Sequence, residues 1–299
     1  MIVSLLSGAW GEIAGLLSAI SAAFSSLMVR GLGPARNPMA INALRCCVAA
    51  AGFAFLWWTG SAAVGEWARA LPVLAFVAFA GLVVGDSLYF GSISRLGSGR
   101  ATPIAMSYPL PTAVFETLLF GEQMPALKVV GIFLGVSAIW LIASKARGGR
   151  QSSAEQGYWI GVAQAIGASL CWSLSVIALR TVLDLVPLDF ANLVRMSFAG
   201  LMLSMISYRA VGDGIVELRR SGFAVLIVAL GMAAVGTSYM LIQSVYHSGA
   251  AIAALMSSMT PIFVAPLAWL VFKETITRRM AAGIGLGVVS IVLVILSPG

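Results

Sequence analysis

The chain has 299 residues, 60% hydrophobic and 10% charged, against about 45–50% and about 25% in soluble globular proteins. That composition excludes a soluble globular domain. The net charge of +7 comes from cations spaced singly between long apolar runs, so no basic face tracks nucleic-acid phosphates and no nucleic-acid partner is expected.

A hydrocarbon core about 30 Å thick is crossed by roughly 20 apolar residues in a helix. Ten stretches approach that length, in chain order 11–29, 39–59, 70–90, 101–120, 126–144, 158–179, 188–208, 222–246, 249–272 and 280–297. The runs are continuous and lack the alternation of barrel strands, so helices are the form that satisfies the backbone in lipid. The first run is too long for a cleaved leader and has no basic segment before it, so it is kept as helix 1. An all-α membrane protein of ten transmembrane helices is predicted, with the lipid bilayer as its solvent. The region Gly97, Ser98, Gly99, Arg100 lacks the strand and lysine of a phosphate cradle, which argues against ATP-driven transport.

The two halves of the chain repeat. Asn42 and Arg45 recur as Asn192 and Arg195 at an offset of 150, and Gly85 and Ser87 recur as Gly236 and Ser238 at 151. At 152, Pro109 matches Pro261, Phe120 matches Phe272, Glu122 matches Glu274, and Gly131 and Gly135 match Gly283 and Gly287. Small loop insertions in a duplicated unit produce such a slow drift. The expected units are 1–145 and 157–299, joined by a Gly-, Ser- and charge-rich linker at 146–156. A unit of five helices has an odd count, so the second is expected to be inverted. Inverted repeats put a shared cavity near the midplane, opened to either side in turn by rocking.

The segment from Pro109 through Phe120-Gly121-Glu122 to Gly131 and Gly135, with its copy from Pro261 to Gly287, resembles the EamA domain of the drug/metabolite transporter superfamily. The resemblance covers almost the whole chain. It implies a secondary transporter of small organic solutes, whether amino acid-like, sugar-like or drug-like, and not an enzyme. A non-transporting scaffold or lipid-handling subunit with the same fold is the alternative. The loops joining helices 1/2, 3/4, 5/6, 7/8 and 9/10 carry thirteen Lys and Arg against three in the opposite loops. By the positive-inside tendency this puts both termini outside the cytoplasm, whereas the resemblance implies termini within it. A bacterial inner (plasma) membrane is the expected location, as a monomer or homodimer.

A charge within a membrane helix costs about 2.5–3.5 kcal/mol on insertion scales and needs a reason. Arg45 and Arg195, with Asn42 and Asn192 one turn earlier, hold equivalent places and are read as structural or anion-pairing. Asp86 is replaced by Thr237 in the second unit, and Glu116 by Ala268. Such asymmetry marks both carboxylates as candidates for coupling transport to protons, with pairing to a cation such as Arg45 as the structural alternative for Asp86. Trp172, Tyr108, Gln164, Tyr239 and Gln243 are the candidate substrate contacts, since aromatic and amide groups orient a solute in an apolar cavity. Tyr89 is placed in an interfacial belt. Ser18, Ala22 and Ser25 form a small-residue stripe for helix packing.

Pro109 and Pro261 are candidate hinges, because proline frees a carbonyl and bends its helix. The GxxxG pairs of helices 5 and 10 are read as packing faces within one chain. His247 is read as a solvated helix end. With a single histidine, and with Cys46, Cys47 and Cys171 scattered in apolar runs, neither a metal site, a disulfide framework nor any cofactor is expected.

Overall fold

The computed structural model describes residues 9–31, 37–60, 64–96, 98–121, 124–143, 155–217, 223–272 and 277–297. The expected linker lies largely outside them, as do Glu122 and Glu274. Every regular element among the described residues is helical. The first unit contains α1 (Trp10–Gly31), α2 (Pro38–Gly60), α3 (Trp67–Val77), α4 (Asp86–Leu96), α5 (Ser98–Ala105), α6 (Pro109–Phe120) and α7 (Ala126–Ala143). The second contains α8 (Glu155–Arg180), α9 (Leu188–Ile206), α10 (Tyr208–Glu217), α11 (Phe223–Ser248), α12 (Ala250–Ser258), α13 (Thr260–Phe272) and α14 (Arg278–Leu296).

Seven stretches among the described residues are long and apolar enough to cross a membrane: Trp10–Met28, Met39–Gly60, Trp67–Ile93, Gly157–Arg180, Phe223–Ser248, Ala250–Val271 and Arg278–Leu296. Pro109–Phe120 and Ala126–Leu141 are apolar but shorter, and α9 carries Asp189 and Arg195 in its nineteen residues. The departures from ten uniform spans have local causes. The expected fourth and ninth helices are each divided, at Met106–Tyr108 directly before Pro109 and at Met259 two residues before Pro261. Proline supplies no N–H to the preceding turn, so a rung of the helical ladder is missing there, while Tyr108 before Pro109 keeps right-handed helical angles. α3 runs into α4 through a π-helical segment, Ala78–Gly85. The short helix α10 occupies a stretch that sequence reasoning assigned to a loop.

The packing pairs interchange when the two halves are exchanged. α1 lies along α11, and α8 lies along the α3–α4 helix; α2 packs on α9, and α7 on α14. Small residues permit these approaches. A methyl built at Gly131 would lie 2.5 Å from Val294, and one at Gly287 would lie 2.1 Å from Ile262 and 3.5 Å from Ala138. These glycines therefore meet neighbours of their own chain, and the Ser290 hydroxyl donates to the Gly131 carbonyl at 2.7 Å.

Contacts at the helix ends define two faces. The Glu66 N–H donates to the Leu185 carbonyl at 2.9 Å. A methyl on Gly11 would meet Ser248, and Glu116 bonds the start of α12. The turns at Gly65, Gly121 and Gly249, which have φ of 64°, 67° and 80°, belong to this end. It is called the glycine-turn face below. At the other end, Gly161 near the start of α8 lies against Arg95 and Leu96 at the end of α4.

Candidate functional site

The site is built where the π-helical segment meets α4. The Asp86 N–H closes a π turn on the Gly81 carbonyl. The Trp172 indole Nε1 donates to the Gly81 carbonyl and to Asp86 Oδ1, each at 3.1 Å. Gly81 and Gly85, one turn apart, make room for α8. A methyl at Gly85 would stand 2.8 Å from the indole, and one at Gly81 would stand 2.5 Å from the Ser175 hydroxyl.

Asp86 is half-buried, and its other oxygen accepts from Asn42 Nδ2 at 3.1 Å. Asn42 in turn accepts from Arg45 Nη2 at 2.6 Å. The amide of Asn42 therefore stands between guanidinium and carboxylate, presenting its oxygen to the cation and its NH₂ to the anion. The expected pairing of Asp86 with Arg45 is realised through this relay, not as a direct contact. Two of the roughly four acceptor directions of the Asp86 carboxylate are taken by these bonds.

Three aromatic rings converge here. Tyr89 and Tyr108 both lie edge-on to Trp172, at centroid distances of 5.3 and 5.9 Å. The Tyr89 hydroxyl is 2.8 Å from that of Thr102, so Tyr89 belongs to the site and not to an interfacial belt. Its place one turn beyond Asp86 was the signal that sequence reasoning passed over. The Tyr108 carbonyl accepts the Thr112 N–H at 3.1 Å within α6 and also the Ser173 hydroxyl at 2.9 Å, which ties α6 to α8 beside the indole.

The remaining candidates are dispersed. Gln164 accepts from Arg95 at 3.0 Å on the same helix as Trp172, toward the face opposite the glycine turns. On α11, Gln243 donates to the Tyr239 hydroxyl at 3.2 Å, and Tyr239 packs in a different core cluster from Trp172 and Tyr108. In the second unit Arg195 donates to Asn192 at 3.1 Å, repeating the Arg45–Asn42 bond. Asn192 then reaches only the Ser238 carbonyl, at 3.5 Å, because Thr237 turns its hydroxyl onto Ala233. The repeat thus preserves the Arg–Asn bond and replaces the carboxylate with a backbone acceptor. Ser18 and Ser21 of α1 donate to the Thr237 and Ala233 carbonyls at 2.8 and 2.9 Å, so the small-residue stripe carries hydrogen bonds as well as close packing.

Glu116 lies away from this cluster, buried at the glycine-turn face. It pairs with Arg180 and accepts from the amides of Ala250 and Ala251 at 2.6 and 2.9 Å. His247 is exposed in the last turn of α11, its ring 5.0 Å from that of Tyr246.

Comparison with known proteins adds identity to this geometry. An uncharacterized transporter of Archaeoglobus fulgidus is 26% identical over 235 residues, covering 76% of each chain. The uncharacterized transporter YvbV of Bacillus subtilis is 29% identical over 98 residues, a match spanning 31% of this chain and 30% of that protein. A solved crystal structure superposes with a TM-score of 0.76 at 17% identity over 96% of both chains, a likeness of fold. Residues 9–144 and 159–296 each match the EamA-like transporter family. The chain, an integral membrane protein by its apolar helices, belongs to the EamA-like transporter family of the drug/metabolite transporter superfamily.

Proposed function

We propose that the protein is a secondary transporter that moves a small organic metabolite by alternating access, with ten membrane crossings arranged as two inverted five-helix units, 1–145 and 157–299. This reading counts as crossings the seven long spans, the two shorter apolar helices and α9. Inversion is supported by where the units begin: Gly11 of α1 lies at the glycine-turn face and Gly161 of α8 at the other. The interchange of packing pairs between halves points the same way.

The observation that carries the reading is the Arg45–Asn42–Asp86–Trp172 relay with its three aromatic rings. A half-buried carboxylate with acceptor directions to spare, held beside rings inside a membrane bundle, is costly for a merely structural protein. Trp172 and Tyr108 form the inner wall of the solute site, with Tyr89 beside them, and Gln164, Tyr239 and Gln243 lie along the route to it. Asp86 is the coupling group, binding a proton or exchanging partners as the solute passes. Asn42 and Arg45 set its position, and Asn192 with Arg195 braces the second unit. Glu116, with its oxygens committed to Arg180 and α12, holds the bundle end. Pro109 and Pro261 are the hinges. The protein acts in a bacterial inner membrane, as a monomer or homodimer, with the cation-rich loops in the cytoplasm.

The test is a comparison of metabolite levels in cells with and without the protein, followed by uptake of the responding solutes into proteoliposomes. Solute-dependent flux is expected. Absence of flux across a broad panel, with correctly folded protein in the membrane, contradicts the proposal.

A further inference from the structure

Glu116 and Arg180 belong to opposite halves of the chain, and their bond is made where a pathway between the halves would end. Glu116 is 2% exposed on α6. Its carboxylate joins the Arg180 guanidinium at the end of α8 to the first amides of α12. The guanidinium also lies 4.7 Å from the centre of the Phe120 ring. Gly249, at φ 80°, brings the α11–α12 turn so close that a methyl there would stand 2.8 Å from Glu116. Nearby, the Glu66 amide reaches the Leu185 carbonyl across the same seam. Below these contacts lie Tyr108 and Trp172, in one buried cluster with Ala250, Ala253 and Ala254.

The arrangement is one-sided. At the offset that matches Pro109 to Pro261, the counterpart of Glu116 is Ala268, so the opposite face has no carboxylate at the equivalent position.

We propose that Glu116 and Arg180, with the start of α12, form a gate that holds the glycine-turn face closed over Tyr108 and Trp172. The inference rests on the alternating-access reading. A charge pair whose carboxylate is buried and whose guanidinium is largely covered suits a gate because its energy depends on its surroundings. With the carboxylate out of water, the pair resists the loss of either partner; once the seam opens and water enters, both groups are solvated and the pair is worth little. The absence of a matching carboxylate on the other face biases the resting protein toward this closed end.

The experiment uses the full-length protein in right-side-out and inside-out membrane vesicles, with Cys46, Cys47 and Cys171 replaced by serine or alanine. Single cysteines at Ala253, beneath the gate, and at Gln164, toward the other face, report access to a membrane-impermeant thiol reagent. Gln164→Cys is expected to label from its own face, and Ala253→Cys to be protected from the glycine-turn face. Arg180→Gln and Glu116→Gln should each raise Ala253→Cys labelling about tenfold, within the roughly 5–150-fold span of ordinary coupling between sites, and slow that of Gln164→Cys. Should Glu116→Gln fail to fold, Arg180→Gln decides, because it leaves the carboxylate on the α12 amides. Unchanged labelling in a folded Arg180→Gln protein makes the pair a static staple and overturns the gate. If neither reporter labels from any face, with or without the gate variants, alternating access itself fails and the gate with it.

Discussion

Asn42 decides how the charges of the first unit are arranged. Its amide separates Arg45 from Asp86 by one hydrogen-bonded step on each side, so neither charge meets the other directly and Asp86 keeps acceptor directions open. Replacing Asn42 with Leu leaves both charges without that partner. A buried polar group stripped of its bond costs about 1–3 kcal/mol, more when charged. Asn42→Leu should therefore lower the thermal unfolding temperature of the detergent-solubilised protein more than Asn192→Leu does, since the outward bond of Asn192 is a long one to a backbone carbonyl. Equal losses would show that the carboxylate adds nothing to the role of Asn42.

Asp86→Asn keeps the shape of the side chain and removes its charge. Proteoliposomes bearing that variant should retain solute exchange and lose uptake driven by a pH gradient, whereas unchanged gradient-driven uptake would remove Asp86 from the coupling step. The residue types were legible in the sequence from the Arg–Asn repeat and the Asp-to-Thr asymmetry. Their connections were not, because an amide can face either charge and only the approach of α2, α4 and α8 fixes which. Tyr89 was misplaced for a related reason: position along a helix does not tell an interfacial ring from one turned inward.

Among the elements, the broken helices are the clearest link from residue to mechanism. Pro109 and Pro261 hold equivalent positions and each follows an interruption, at Met106–Tyr108 and at Met259. The bend was legible because proline lacks a donor. The π-helical segment of Ala78–Gly85 carries no such mark, and it brings the Asp86 N–H onto the same Gly81 carbonyl that Trp172 uses. Pro109→Ala should preserve folding, judged by monodisperse elution and helical circular dichroism, while slowing uptake several-fold; wild-type rates would mean the break has no part in the movement.

The packing of α14 against α13 and α7 is close by contrast. Gly287→Leu forces a side chain into Ile262, and overpacking of this kind costs about 1–3 kcal/mol. A clear drop in unfolding temperature should follow, while the same change at Gly285, where a methyl meets nothing within 4 Å, should be nearly neutral. Similar losses at the two positions would contradict the packing described. The amphipathic α10 escaped sequence reasoning because two glycines and three charged residues in ten positions read as a loop.

For the whole molecule, the duplicated pattern of Asn, Arg, Pro and Gly carries the proposed two-unit organisation, and two family matches, over 9–144 and 159–296, fit it. The contacts between units were not legible, because periodicity says which face of a helix is apolar and not which helix covers it. The gate at Glu116 is one such contact, formed by residues 64 and 134 positions apart in the chain. In the proposed orientation, with the cation-rich loops in the cytoplasm, the glycine-turn face is the outer one.

Both the solute pathway and its one-sided closure depend on the second unit entering the membrane from the side opposite the first. Single cysteines at Trp10, which opens α1, and at Gly157, in the first turn of α8 with open space about its Cα, can be labelled with an impermeant reagent in intact cells and in inverted vesicles. The account predicts that Trp10→Cys reacts in intact cells and Gly157→Cys only in inverted vesicles. Reaction of both from the same side would contradict it.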